Sequence, residues 1–295
     1  MAKGRHKSET VGPWAAQKLD ALEAYLRFYN TALKNKTYFK RVYIDAFAGK
    51  PKAMIRGSDV PPEPSPFFDD DDALEVRAEY IAGSPLRALS IVDGFHEHYF
   101  FDLDESRAET LRGICEDRND VEIKVGDCNP LVRDLVKRFG NQNMRGVAFL
   151  DPYGAHLEWE TVEALAATGK FEVIINFPVA MAINRLITKS GAIPENWSDQ
   201  LNRCFGTEEW RDLSYDVQRN LFGEDDVVKR GGVQQSLLQL YLKRLQGLFH
   251  CVAKPRLIRN TRQHPLYFLI WAGPNPLGLK GAEHILGQGE EIKLP

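Results

Sequence analysis

The chain has 295 residues, 43% hydrophobic and 27% charged, with a formal net charge of −3, so it is long enough for one large globular domain, or a domain with a sizeable insertion, and has no global charge for holding a polyanion. Its four cysteines, Cys115, Cys128, Cys204 and Cys251, form no CxxC pair, which argues against a zinc cage or a disulfide framework. The charged start "MAKGRHKSETVGPW" lacks a signal-peptide core, and no run approaches the roughly 18 apolar residues of a membrane helix, so a cytoplasmic protein with no membrane partner is expected.

Residues 14–33, "WAAQKLDALEAYLRFYNTAL", place Trp14, Leu19, Leu22, Tyr25, Leu26 and Tyr29 largely at spacings of three and four, predicting a helix within an N-terminal segment of residues 1–40. "RVYIDAFAG" (41–49) reads as a buried strand entering a loop. Residues 50–82 mix prolines with the acidic run at 69–72 and predict an exposed insertion, with Leu74 to Ile81 as an edge strand. "GSPLRALSIVDGF" carries a helix start, with Ser84 as cap and Pro85 in the first turn. Strands at 98–104, 121–127, 146–154 and 171–178 then alternate with helices at 105–118, 130–140 and 159–168, which predicts a doubly wound, mostly parallel α/β sheet. Residues 181–246 show helical patterns and no strand, a helical insertion subdomain. "HCVAKPRLIRN" and "HPLYFLIWAG" close the chain as an antiparallel hairpin at the sheet edge, so the sheet domain is expected to span 41–180 and 247–295.

The chemistry sits at the strand ends. Four proposed strands end in acids: Asp45, Asp102 with Asp104, Asp127 and Asp151. In open parallel sheets these tips converge on one crevice, where clustered anions are costly unless they bind something. An adenine nucleoside would give the acids distinct roles, with Asp102 accepting from ribose hydroxyls, Asp127 from the adenine amine, and the loop at Asp45, Phe47 and Gly49 passing closest to the ligand. For Asp127 the competing possibility is a strand-end turn, for Lys18 a solvated lysine, and for the basic clusters Lys34, Lys36, Lys40, Arg41 and Lys254, Arg256, Arg259, Arg262 a solvated surface. The acidic run at 69–72 reads as a solvated loop, with cation binding by its four acids as the alternative, and the histidines have no metal-ligand spacing.

"YIDAFAG", "GSP", "FFDLD", "GDCN", "FLDPYG" and "INFP", in that order after "WAAQKL", resemble the three-Cys-motif partner proteins, a family of S-adenosylmethionine-dependent methyltransferase-like proteins. The order is more distantly similar to that of the ribosomal-RNA adenine-N6 methyltransferases. The resemblance covers roughly residues 14–180. It implies a Rossmann-like methyltransferase fold and S-adenosylmethionine held by Asp45, Phe47, Gly49, Gly83, Ser84, Pro85, Asp102, Asp127 and Lys18. It also implies an acceptor site at Asp151, Pro152 and Tyr153, for methyl transfer to an amino group, a nucleic-acid base among the candidates. The family name implies a partner with a three-cysteine motif, and with it the alternative of a non-catalytic nucleoside-binding protein. Two departures bear on this. "AGKPK" puts Pro51 where a second loop glycine is usual, and "DPYG" stands in place of the "DPPY" of amino-directed nucleic-acid methyltransferases.

Overall fold

The computed structural model describes residues 10–11, 14–55, 80–219, 225–260 and 262–287. In chain order, β1 (Thr10–Val11) and α1 (Trp14–Leu33) lead to β2 (Lys40–Asp45). β3 (Lys52–Ile55) and β4 (Tyr80–Ala82) bracket residues 56–79, and α2 (Ser84–Leu89) follows. A regular alternation comes next: β5 (Glu97–Asp102), α3 (Glu105–Ile114), β6 (Val121–Val125), α4 (Cys128–Phe139), β7 (Met144–Leu150), α5 (Trp159–Ala167) and β8 (Phe171–Phe177). A π-helical turn, Val179–Ile183, opens a segment containing α6 (Asn184–Leu186), α7 (Glu195–Phe205), α8 (Glu209–Ser214), β9 (Tyr215–Arg219), β10 (Asp225–Lys229) and α9 (Val233–Leu248). The chain ends in β11 (Cys251–Val252), β12 (Arg256–Arg259), β13 (Pro265–Gly273) and α10 (Pro276–Leu286).

The central sheet has eight strands in the order β11-β13-β8-β7-β2-β5-β6, with β12 also pairing with β13. β2, β5, β6, β7 and β8 run parallel and β13 runs antiparallel to β8, so the fold is the mostly parallel, Rossmann-like α/β sheet that the alternation predicts. Strand side chains alternate between two buried faces. Val42, Ile44, Ala148, Leu150, Val173 and Ile175 pack with α4, α5, α7 and α9. Tyr43, Val147, Phe149, Ile174, Leu269 and Trp271 pack beneath α1, α2, α3 and α10. The predicted face of α1 is buried through Leu19, Leu22, Tyr25, Leu26 and Tyr29. Trp14 sits apart, against Ile258, Leu266 and Tyr267.

Four expectations need correction or narrowing. The segment 181–246 is not free of strand: β9 and β10 form an antiparallel ribbon, whose polar, exposed residues carry no buried-face signal. The terminal hairpin exists, but β13 lies between β8 and the outer strands β11 and β12, so only the latter two form the edge. Ser84 does not cap α2. Gly83 holds that position, and Ser84 is the first helical residue and is buried. The insertion at 50–82 is closed at its base by β3 pairing antiparallel with β4 in a small sheet that includes β1. Its acidic run at 69–72, and residues 74–79 of the expected edge strand, lie outside the described residues.

Candidate functional site

The direction of sheet growth reverses at β2. From β2 the chain moves outward to β5 and β6, then returns through α4 to β7 on the other side of β2 and continues to β8. In open α/β sheets such a reversal places the ligand crevice at the carboxyl ends of the strands beside it, here β2 and β7. Asp45 ends β2, in register with Phe149 of β7, so Asp45 and Asp151 flank the reversal.

Asp45 is fully buried. Burial pushes its carboxyl group up to about 7, against the opposing pull of a Ser84 hydrogen bond, and the charge of Asp151 pushes in the same direction as burial. The Tyr43 hydroxyl donates to Oδ2 at 3.4 Å, while Oδ1 has no partner. An orphaned buried carboxylate oxygen is costly, and its persistence at a strand tip marks a place where a ligand or water donates.

Asp151 follows Phe149 and Leu150, both fully buried, and is the first polar side chain beyond β7. Asn176 Nδ2, near the end of β8, donates to its Oδ1 at 2.6 Å. Lys18, on α1 and 133 residues earlier, forms an ion pair with its Oδ2. The two side chains are 12% and 22% exposed, so this pair is largely shielded from water. The Lys18 ammonium also lies 5.5 Å from the ring centre of Tyr267, whose phenol is pushed above its usual range by burial and by Asp151 and so stays neutral. Pro152 is buried and fixes the chain after Asp151, whereas Tyr153 is 89% exposed.

On the other side of β2, Asp102 is 9% exposed, and its carboxylate accepts the Gly49 N–H and the Asp104 N–H, each at 2.8 Å. Gly49 reaches it with φ +64°, a conformation in which a β-carbon is disfavoured. Asp104 is occupied as the cap of α3, taking the Arg107 N–H at 3.1 Å. Asp127 caps α4, accepting from the Asn129 N–H at 2.9 Å and from Asn129 Nδ2 at 3.0 Å. The turn role and a ligand role are compatible here, because a carboxylate has about four acceptor sites and two are in use.

The difficulty posed by Pro51 has a spatial resolution. After Pro51 the chain leaves into β3, and it returns through β4 at Gly83, whose N–H donates to the Pro51 carbonyl at 2.7 Å. A β-carbon on Gly83 would lie 2.4 Å from the Lys50 carbonyl oxygen. Gly83 thus packs against the Lys50 and Pro51 carbonyls, which brings "GSP" beside the loop begun by "AFAGKP". Phe47 is half-buried against the core, and Pro85 is buried in α2.

The structure therefore gathers Asp45, Ser84, Asp151 and Lys18 at the reversal, and Gly49 with Asp102 beside them, with Asp127 at the end of the adjacent strand. Asn176, Asn129 and Leu103 do not stand out as candidates in the sequence. The first two lie in "INFP" and "GDCN", motifs whose asparagines carry the bonds, and Leu103 is 77% exposed between Asp102 and Asp104, an apolar surface beside a candidate ribose acid. Among the described residues, no three His, Cys, Asp or Glu side chains are grouped to hold a metal ion, and no helix is long and apolar enough to cross a membrane.

No protein-family model matches the chain, and no curated protein matches it. Solved structures similar to it include a Legionella pneumophila protein at 14% identity, covering 77% of this chain and 92% of the other, with a TM-score of 0.36. The spermidine synthase of Thermotoga maritima is 11% identical over 96% of this chain and 67% of its own, with a TM-score of 0.43. A provisional S-adenosylmethionine-dependent methyltransferase from Listeria monocytogenes is 12% identical over 81% and 92%, with a TM-score of 0.35. At these identities and scores the likenesses concern the course of the chain and decide nothing about its chemistry.

Proposed function

We propose that the chain is an S-adenosylmethionine-dependent methyltransferase acting on an amino group. The observation that carries this reading is the row of acids at adjacent strand ends, Asp127, Asp102, Asp45 and Asp151, spanning the reversal of strand order. The orphaned Oδ1 of Asp45, the spare acceptor sites of Asp102 and Asp127 and the exposed Leu103 fit a cationic nucleoside. When bound, S-adenosylmethionine supplies an electrophilic methyl group. Asp102 would hold the ribose, Asp127 the adenine amine, and Gly49, Gly83, Ser84 and Pro85 would shape the loop beside the methionine end. Asp151, fixed from two sides by Lys18 and Asn176, would accept a hydrogen bond from the acceptor amine and orient its lone pair. Tyr153 would stack on a planar acceptor or close the mouth.

A nucleic-acid base as acceptor is supported by the hairpin turn between β12 and β13. β13 begins beside the carboxyl end of β8, and Arg259, Arg262 and His264 thus stand at the crevice end of the sheet. The basic residues Lys40 and Arg41 begin β2 at the opposite end. One feature favours a second reading, a non-catalytic nucleoside-binding partner of a three-cysteine-motif protein: both Asp151 oxygens already have donors.

Calorimetric titration with S-adenosylhomocysteine tests the nucleoside site. Binding is expected, and Asp102→Ala should weaken it by about 1–3 kcal/mol through loss of charged-acceptor hydrogen bonds. Equal affinity in variant and parent removes Asp102 from the site.

A further inference from the structure

Asn129, the second residue of α4, has an unusually complete set of bonds. Its side chain is 3% exposed. Nδ2 donates to Asp127 Oδ1 at 3.0 Å and to the His156 carbonyl at 2.9 Å, and Oδ1 accepts from the Glu158 N–H and from Thr161 Oγ1, each at 2.9 Å. Both donors and both acceptor sites of the amide are in use. Glu158, the cap residue of α5, makes no side-chain cap bond of its own, so a residue of a different helix serves the start of α5. The surroundings demand an amide: Asp127 and the His156 carbonyl offer only acceptors on one side, and the Glu158 N–H and the Thr161 hydroxyl offer donors on the other. An aspartate at 129 would turn acceptors against acceptors, and an apolar residue would leave buried groups unpaired.

These bonds tie the start of α4 to the start of α5. Asp127 stands at the start of α4, while residues 151–158 form the loop from β7 to α5 that carries Asp151, Pro152 and Tyr153. We propose that Asn129 is a positioning residue coupling the nucleoside subsite to the acceptor loop, so that a ligand amine held by Asp127 orders residues 153–158. The inference rests on the reading of Asp127 as a nucleoside contact. The physical basis is that Asp127 is exposed, and its carboxylate carries two bonds from Asn129 that a bound ligand would immobilise along with it.

Amide hydrogen exchange of residues 153–158, measured with and without saturating S-adenosylhomocysteine, tests this in the parent, Asn129→Asp and Thr161→Val. In the parent, ligand should raise protection by about fivefold or more, the lower end of ordinary coupling between sites. Asn129→Asp should bind ligand with little or no gain in protection. Asn129→Ser, which still offers an acceptor but cannot bridge, should behave the same way and replaces it if the aspartate variant does not fold. Thr161→Val loses one bond to the same amide but keeps the bridge, so protection should fall in the free protein while the ligand-induced gain persists. A full gain in the Asn129 variants, or ligand binding to the parent without any gain, overturns the coupling. A parent that binds no S-adenosylhomocysteine overturns the nucleoside reading itself.

Discussion

Replacing Lys18 by methionine keeps most of the side chain's packing and removes only the ammonium, leaving Asp151 with the Asn176 amide as its donor. Losing one partner of a fully buried pair costs about 3–5 kcal/mol, and exposed pairs are worth about 0.2–1 kcal/mol. With side chains 12% and 22% exposed the pair lies between these limits, and the 2.6 Å bond from Asn176 goes on solvating the carboxylate. Loss of the ammonium over Tyr267 adds about 0.5 kcal/mol. The expected cost is about 2–3 kcal/mol. Asp151→Asn strands the ammonium instead and should cost a similar amount. The double variant Lys18→Met/Asp151→Asn carries no unpaired charge and should cost only about 1–2 kcal/mol, so the two sites should couple by about 2–5 kcal/mol. Urea denaturation of the four proteins, read as midpoint shifts at constant slope, measures this directly. Additivity within about 0.5 kcal/mol, or a Lys18→Met cost below that figure, would refute the idea that Lys18 holds Asp151.

Asp45→Asn should show a pH-dependent gain. The carboxyl is raised from 3.8 to about 7 in the folded chain, so the folded state binds the extra proton between these values. The stability that this group contributes in acid is therefore lost as pH rises through that window, whereas an amide loses nothing. The stability of the variant relative to the parent should climb by up to about 4 kcal/mol between pH 4 and 7 and then level off, as parallel denaturation series would show, and a flat difference would contradict a buried carboxyl of raised pKa. Gly83→Ala should cost about 1–3 kcal/mol, because the new β-carbon meets the Lys50 carbonyl, and it should also weaken S-adenosylhomocysteine binding by displacing the loop. Loss of stability with unchanged affinity would separate that loop from the ligand site.

Much of the sheet is legible in the sequence because the short apolar runs at 41–45, 98–102 and 171–177 are almost wholly buried and alternate with amphipathic helices, so they can be told from their surroundings. The ribbon of β9 and β10 is not: "YDVQR" and "DDVVK" are held by pairing with each other, and Val217, opposite Val227, is 69% exposed. The strand-end acids are visible through position alone. Their partners are not, since Lys18 and Asn176 meet Asp151 across 133 and 25 residues of chain, and no local pattern encodes contacts that depend on strand order. Pro51 looks prohibitive in the linear sequence for the same reason. Only the pairing of β3 with β4 brings Gly83 beside it.

The central claim is that Asp151 orients an acceptor amine, and it is tested most directly by transfer of a labelled methyl group from S-adenosylmethionine to fractionated cellular RNA, DNA and protein, comparing the parent with Asp151→Asn. The substitution keeps the shape of the side chain but replaces one acceptor oxygen with a group that donates. The parent should label exocyclic amino groups in one fraction, and the variant should bind S-adenosylhomocysteine normally while turning over about a hundredfold more slowly. Undiminished turnover in a folded variant, or no transfer by a parent that binds the nucleoside, would contradict it.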